Sequence, residues 1–112
     1  MLYIYSSNVR TGHFADFEKA VASHQQRFAA SQPAGWTLKG FFFKVFGFGD
    51  AHVEVHFEVA NYAAFDSAQQ TAAKKGDYEQ LWTEFHKFLD PATASGRLLK
   101  PVGGKDTLVV GC

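Results

Sequence analysis

The chain has 112 residues, 46% of them hydrophobic, with 11 basic and 11 acidic side chains and a formal charge of zero. That length reads as one domain, 1–112, with a modest core. The balanced charge, with no basic stripe, argues against nucleic acid and anionic membranes as partners, and no apolar run approaches the ~20 residues of a membrane span.

Residues 2–6 alternate as a first strand, with Leu2 and Ile4 to one side and Tyr3 and Tyr5 to the other. The opening residues lack a basic region and a cleavage site, so they read as strand and not as a signal peptide. Residues 8–12 make a turn, and Thr11 is placed to cap a first helix. From 13 to about 30 the positions Phe14, Phe17, Val21, His24 and Phe28 step by three and four, the spacing of a helix laid on a sheet. Gln32-Pro33-Ala34-Gly35 ends it. Residues 36–46 are strand-like, 47–50 form a turn, and 52–59 alternate strictly, which together predict a hairpin. Asn61 is placed to cap a second helix over about 62–73. A third helix starts after Lys75-Gly76, with Tyr78, Leu81, Trp82, Phe85, Phe88 and Leu89 on one face and Pro91 as its stop. Residues 98–102 then supply a fourth strand, and 107–110 a short further one.

Two segments repeat a pattern. His13-Phe14-Ala15-Asp16-Phe17-Glu18-Lys19-Ala20 and Asn61-Tyr62-Ala63-Ala64-Phe65-Asp66-Ser67-Ala68 share aromatic, Ala, any, Phe, acid, any, Ala, each after a strand-like run. A doubled strand–helix unit of this kind points to an α+β, ferredoxin-like split βαβ domain with an antiparallel sheet and helices on one face. The other sheet face is then open, and an open apolar face is an association surface. Twelve phenylalanines are many for a small two-layer domain to hide, which favours an oligomer or a large apolar pocket. The single cysteine, Cys112, forms no internal disulfide and suits a reducing cytoplasm.

The candidate site is the even face of the third strand, His52, Glu54, His56 and Glu58, opposite Val53, Val55, Phe57 and Val59. The apolar set is expected to meet the helices, with Tyr3 and Tyr5 beside the polar set. An even-length turn at 47–50 would bring Phe41 and Phe43 to that face; a glycine bulge would bring Phe42, Lys44 and Phe46 instead. In such an aromatic-walled cavity His56 would be a general base oriented by Glu54, and Tyr5 the donor to a developing oxyanion. The same alternation also describes a wetted sheet face or paired charges at a dimer interface. A metal is not expected. His52 and His56 lie about twice the ~7 Å spacing of adjacent same-face residues, and no motif offers a third ligand.

Three stretches resemble the dimeric α+β barrel superfamily of antibiotic-biosynthesis monooxygenases, NIPSNAP-like and EthD-like proteins. Val9-Arg10-Thr11-Gly12-His13-Phe14-Ala15-Asp16-Phe17 is similar to the family's strand–turn–helix opening, with Thr11 where proline is usual. Val55-His56-Phe57-Glu58-Val59-Ala60-Asn61-Tyr62-Ala63-Ala64-Phe65 resembles its strand-to-helix step, and Tyr78-Glu79-Gln80-Leu81-Trp82 its third helix. The likeness covers about 1–102 and rests on packing motifs, which speak to fold and hardly to chemistry. It implies a homodimer whose open sheet faces meet, and members that are cofactor-free oxygenases, haem-degrading enzymes, isomerases or cyclases. The haem-degrading pattern of Asn, Trp and His is not carried: Asn8 is near its place, but Trp82 and His86 fall too late in the chain. The expectation is a cofactor-independent oxygenase, isomerase or cyclase acting on an aromatic or enolisable substrate, or else a non-catalytic dimer that binds a hydrophobic small molecule.

Overall fold

The computed structural model describes residues 1–46, 52–71 and 76–102. In chain order these form β1 (Leu2–Val9), α1 (Phe14–Ala30), β2 (Trp36–Phe43), β3 (Val53–Val59), α2 (Tyr62–Thr71), α3 (Gly76–His86) and β4 (Leu89–Leu99). The four strands make one antiparallel sheet in the order β2-β3-β1-β4, the ferredoxin-like arrangement. The turn at 47–50, the further strand at 107–110 and Cys112 lie outside the described residues.

The helices cover the face that carries Val53, Val55, Phe57 and Val59, all at most 1% exposed. Burying β-branched and aromatic side chains on that face is the main force holding the layers together. Phe17 and Phe28, eleven residues apart on α1, are three turns along one stripe and are both buried. The Phe28 ring stacks on Trp82 (5.4 Å) and Tyr78 (5.3 Å) of α3 and meets Phe85 edge-on at 5.3 Å. On the other flank Trp36 stacks on Phe65 of α2 and donates its indole N–H to the Ala64 carbonyl at 3.1 Å. α2 approaches so closely that a Cβ on Gly35, whose φ is +84°, would lie 2.8 Å from the Ala64 methyl.

Asn61 caps α2 as its sequence position predicts, its Oδ1 accepting from the Ala64 N–H at 2.8 Å. Thr11 does not cap α1; the cap position is His13, with no side-chain cap bond. The larger departure is at α3, which stops at His86 and not at Pro91. Lys87 and Phe88 close it with tight bonds to Glu84 and Phe85, and β4 begins at Leu89. Phe88 and Leu89 keep the helical spacing only by coincidence: Leu89 is the first buried residue of an edge strand. Pro91 is tolerated there because the ladder is interrupted. Ser6 pairs with Ser95 and Asn8 with Asp90, so residues 91–94 bulge out opposite Ser7. The bulge is tied by the Thr93 hydroxyl, which donates to the Asp90 carbonyl at 2.8 Å and accepts from the Asn8 N–H at 3.0 Å.

Candidate functional site

Directly opposed residues of an antiparallel ladder share a face. Glu58, His56 and Glu54 of β3 stand opposite Leu2, Ile4 and Ser6 of β1, and Ile4 and Leu2 in turn stand opposite Arg97 and Leu99 of β4. On the other side Gly40 stands opposite His56 and Phe42 opposite Glu54. These residues make up the open face, with Glu54 and His56 at its middle.

There, His56 Nε2 lies 2.8 Å from Glu54 Oε1, and Arg97 reaches the other carboxylate oxygen at 3.8 Å. An ionised carboxylate only accepts, so Nε2 carries the hydrogen and Nδ1 is the basic nitrogen of the neutral ring. The two side chains are 26% and 33% exposed, so each is partly withdrawn from water while still reachable. Phe42 supplies the wall, its ring 4.7 Å from His56. It does so by lying back over Gly40, where a Cβ would come within 3.2 Å of the ring and where φ is +148°.

Four of the sequence-predicted site residues lie on the opposite face. Tyr3 pairs with Phe57 and Tyr5 with Val55, so both phenols point to the helices. Tyr3 packs among Trp36, Phe57 and Phe65, and Tyr5 against Trp82 and His86. The alternation of β1 is as expected but its sides are exchanged: the large tyrosine rings bury more area against helices than Leu2 and Ile4 would. Phe41 and Phe43 also face the helices, opposite Val55 and Val53. The hairpin has the register that brings Phe42 to the open face. His52 precedes β3, and its ring leaves the cluster: Nδ1 accepts from the Val9 N–H at 3.2 Å and the ring lies 5.3 Å from Phe14. Glu58 is on the open face but at its far end, 3.6 Å from Lys39 Nζ. It borders a hollow of about 460 Å³ with Met1, Leu2, Leu99 and Pro101.

Sequence reasoning missed Arg97, because the fourth strand was expected to begin at residue 98. The alternation Ser95, Arg97, Leu99 against Gly96 and Leu98 was the available signal. It also missed the true partner of Tyr5. The Trp82 carbonyl takes a bond from His86 Nδ1 at 2.8 Å, so Nδ1 bears the hydrogen and Nε2 accepts from the Tyr5 hydroxyl, also at 2.8 Å. Burial, reinforced by the neighbouring Tyr3 phenol, pushes the Tyr5 hydroxyl above its ordinary pKa, while a Ser7 hydrogen bond pulls it down. Burial alone raises that of Tyr3. No group of three or more metal-binding side chains occurs among the described residues, and no described helix is long and apolar enough to cross a membrane.

No protein-family model matches the chain, and no curated protein does either. Solved structures do. A NIPSNAP family protein from Agrobacterium tumefaciens C58 superposes with a TM-score of 0.68 at 15% identity, over 89% of this chain and 90% of that one. An uncharacterized NIPSNAP domain protein from Burkholderia xenovorans gives 0.67 at 12% identity, over 89% and 92%. Another Agrobacterium tumefaciens C58 neighbour, a NIPSNAP family protein with unknown function, gives 0.65 at 15% identity, over 89% and 86%. At such identities the likeness is one of architecture: the chain shares its ferredoxin-like α+β fold with NIPSNAP family proteins.

Proposed function

We propose that the protein is a cytoplasmic homodimer that brings two open sheet faces together and binds a small aromatic or enolisable molecule against Glu54, His56 and Arg97. One observation carries this reading: an oriented His–carboxylate pair with an arginine stands on the sheet face that none of the described helices covers, among Leu2, Ile4, Phe42 and Leu99. In it Glu54 fixes the imidazole, and His56 Nδ1 takes the proton of an acidic C–H or O–H. Arg97, with donors left beyond its contact to Glu54, stabilises the oxyanion that forms. Arg97 thus takes the part that the sequence assigned to Tyr5. The placement of both tyrosines on the far face favours a second reading as well, in which the same face holds a hydrophobic molecule without turnover.

The test is native mass spectrometry of the purified protein and of the His56→Gln variant. The wild type is expected at twice the 12.4 kDa chain mass, carrying a small organic adduct. The variant is expected to stay dimeric and to hold that adduct about tenfold more weakly, the cost of one lost hydrogen bond to a charged or developing group. A variant that falls apart into monomers assigns His56 to assembly and not to a ligand. A monomeric wild type overturns the reading altogether. Turnover of the identified adduct then separates the enzyme from the binder.

A further inference from the structure

A second concavity lies away from the Glu54–His56 pair, between α1 and the edge strand β2. It measures about 270 Å³, and its floor is formed by Phe17, Phe41, Phe43 and Val53. Val21 and Ala22 of α1 make one flank and Phe42 the other, and the polar rim is Glu18 and Gln25. Among the described residues that line it, Glu18 alone carries a charge. The positions one helical turn from Glu18 are Phe14, Ala15, Val21 and Ala22, so no basic residue of α1 is spaced to neutralise it.

The floor and flank present four phenylalanine rings, and the face of an aromatic ring carries negative electrostatic potential. A carboxylate at the rim adds to the same sign. The volume falls below that of drug-sized sites and suits a ligand of one ring. We propose that this groove is a binding site for a small organic ammonium, an amine whose apolar body seats on the phenylalanines and whose cation lies against Glu18. The groove shares Phe42 with the His56 site but contains neither Glu54 nor His56, so its ammonium preference is read separately from any chemistry at His56.

Calorimetric or ligand-observed NMR titration with three probes that share a 2-phenylethyl body tests it: 2-phenylethylammonium, 2-phenylethanol and 3-phenylpropionate. At low salt the ammonium is expected to bind about fivefold more tightly than the alcohol, a modest margin because Glu18 is exposed and screened. The carboxylate should be the weakest of the three. Glu18→Gln should abolish the preference for the ammonium while leaving the alcohol unchanged. Ala22→Trp, at an exposed helix position, should fill the groove and remove binding of all three without unfolding the chain. Equal affinity for alcohol and ammonium in the wild type would overturn the proposal. So would undiminished binding in Ala22→Trp, or no saturable binding of the ammonium at millimolar concentration.

Discussion

The two faces of the sheet are made by alternate residues of the same strands, yet they have little in common. The helix-side face is dry and aromatic: Phe28, fully buried, touches Phe41, Phe57, Tyr78, Trp82 and Phe85 in one continuous set of rings. The open face mixes Leu2, Ile4, Phe42 and Leu99 with ionised groups that satisfy one another, and Phe42 and Leu99 are 48% and 42% exposed. Stability is thereby concentrated on one side, and the other is left free for association and chemistry. Two phenylalanine truncations break or confirm this division. Phe28→Ala should cost about 4 kcal/mol, from lost burial and the cavity left behind. Phe42→Ala should cost the monomer less than about 1 kcal/mol, since half of the ring already meets water. Urea denaturation of both variants at low protein concentration measures the difference, and equal losses would mean that the open face is part of the core.

Much of the helix-side face was legible in the sequence, and the reason is periodicity. Val53 to Val59 alternates without a break, and Phe17, Val21 and Phe28 hold a helical stripe. The polar pair Glu54 and His56 could be assigned to the opposite face on the same ground. The partners across the ladder could not, because each depends on a register that periodicity in one strand does not determine. β2 shows this most clearly. Trp36 and Leu38 face the helices at even positions, and Phe41 and Phe43 at odd ones. Both sets can point inward only if one residue is added between them, and Lys39 is that residue: Leu38 pairs with Phe57 and Gly40 with His56. Gly40 inside the strand was the visible sign of a bulge, but the bulge was sought at the 47–50 turn. On β1 the pattern defined two sides and not which of them the helices cover. Burial decided that, since tyrosine offers more ring to a helix layer than leucine or isoleucine and keeps a hydroxyl for His86.

That bulge offers a way to sharpen the comparison, since it is the point at which both faces are set. Gly40→Ala introduces a Cβ at φ +148°, a backbone conformation L-residues rarely adopt, and places it within 3.2 Å of the Phe42 ring. The expected cost is about 2 kcal/mol. The ring should also move off His56, which would shift the imidazole C–H resonances by removing the ring current. A variant with an unchanged midpoint and unchanged His56 resonances would mean that the bulge does not hold Phe42 in place.

The smallest effect belongs to the helix side and appears only in alkali. Tyr78 lies stacked on Phe28, and burial, with a lesser push from the Tyr3 phenol, raises its pKa to about 12. In the unfolded chain a tyrosine titrates near 10. The folded chain therefore holds this proton more tightly, so the contribution to stability is fully present below pH 10 and is lost as pH rises from 10 to about 12. Between pH 8 and pH 11 one such group removes about 1 kcal/mol of stability. Tyr78→Phe has no proton to lose, so its unfolding free energy should fall by that much less than the wild type's over the same interval. Tyr3 and Tyr5, also raised by burial, retain their own share of the slope in both proteins. Absorbance at the phenolate band gives an independent reading: the wild type should show one more tyrosine than the variant that ionises only as the chain unfolds. If the two proteins lose stability in parallel, Tyr78 is as wet as the open face, and the division between the two sides does not extend to α3.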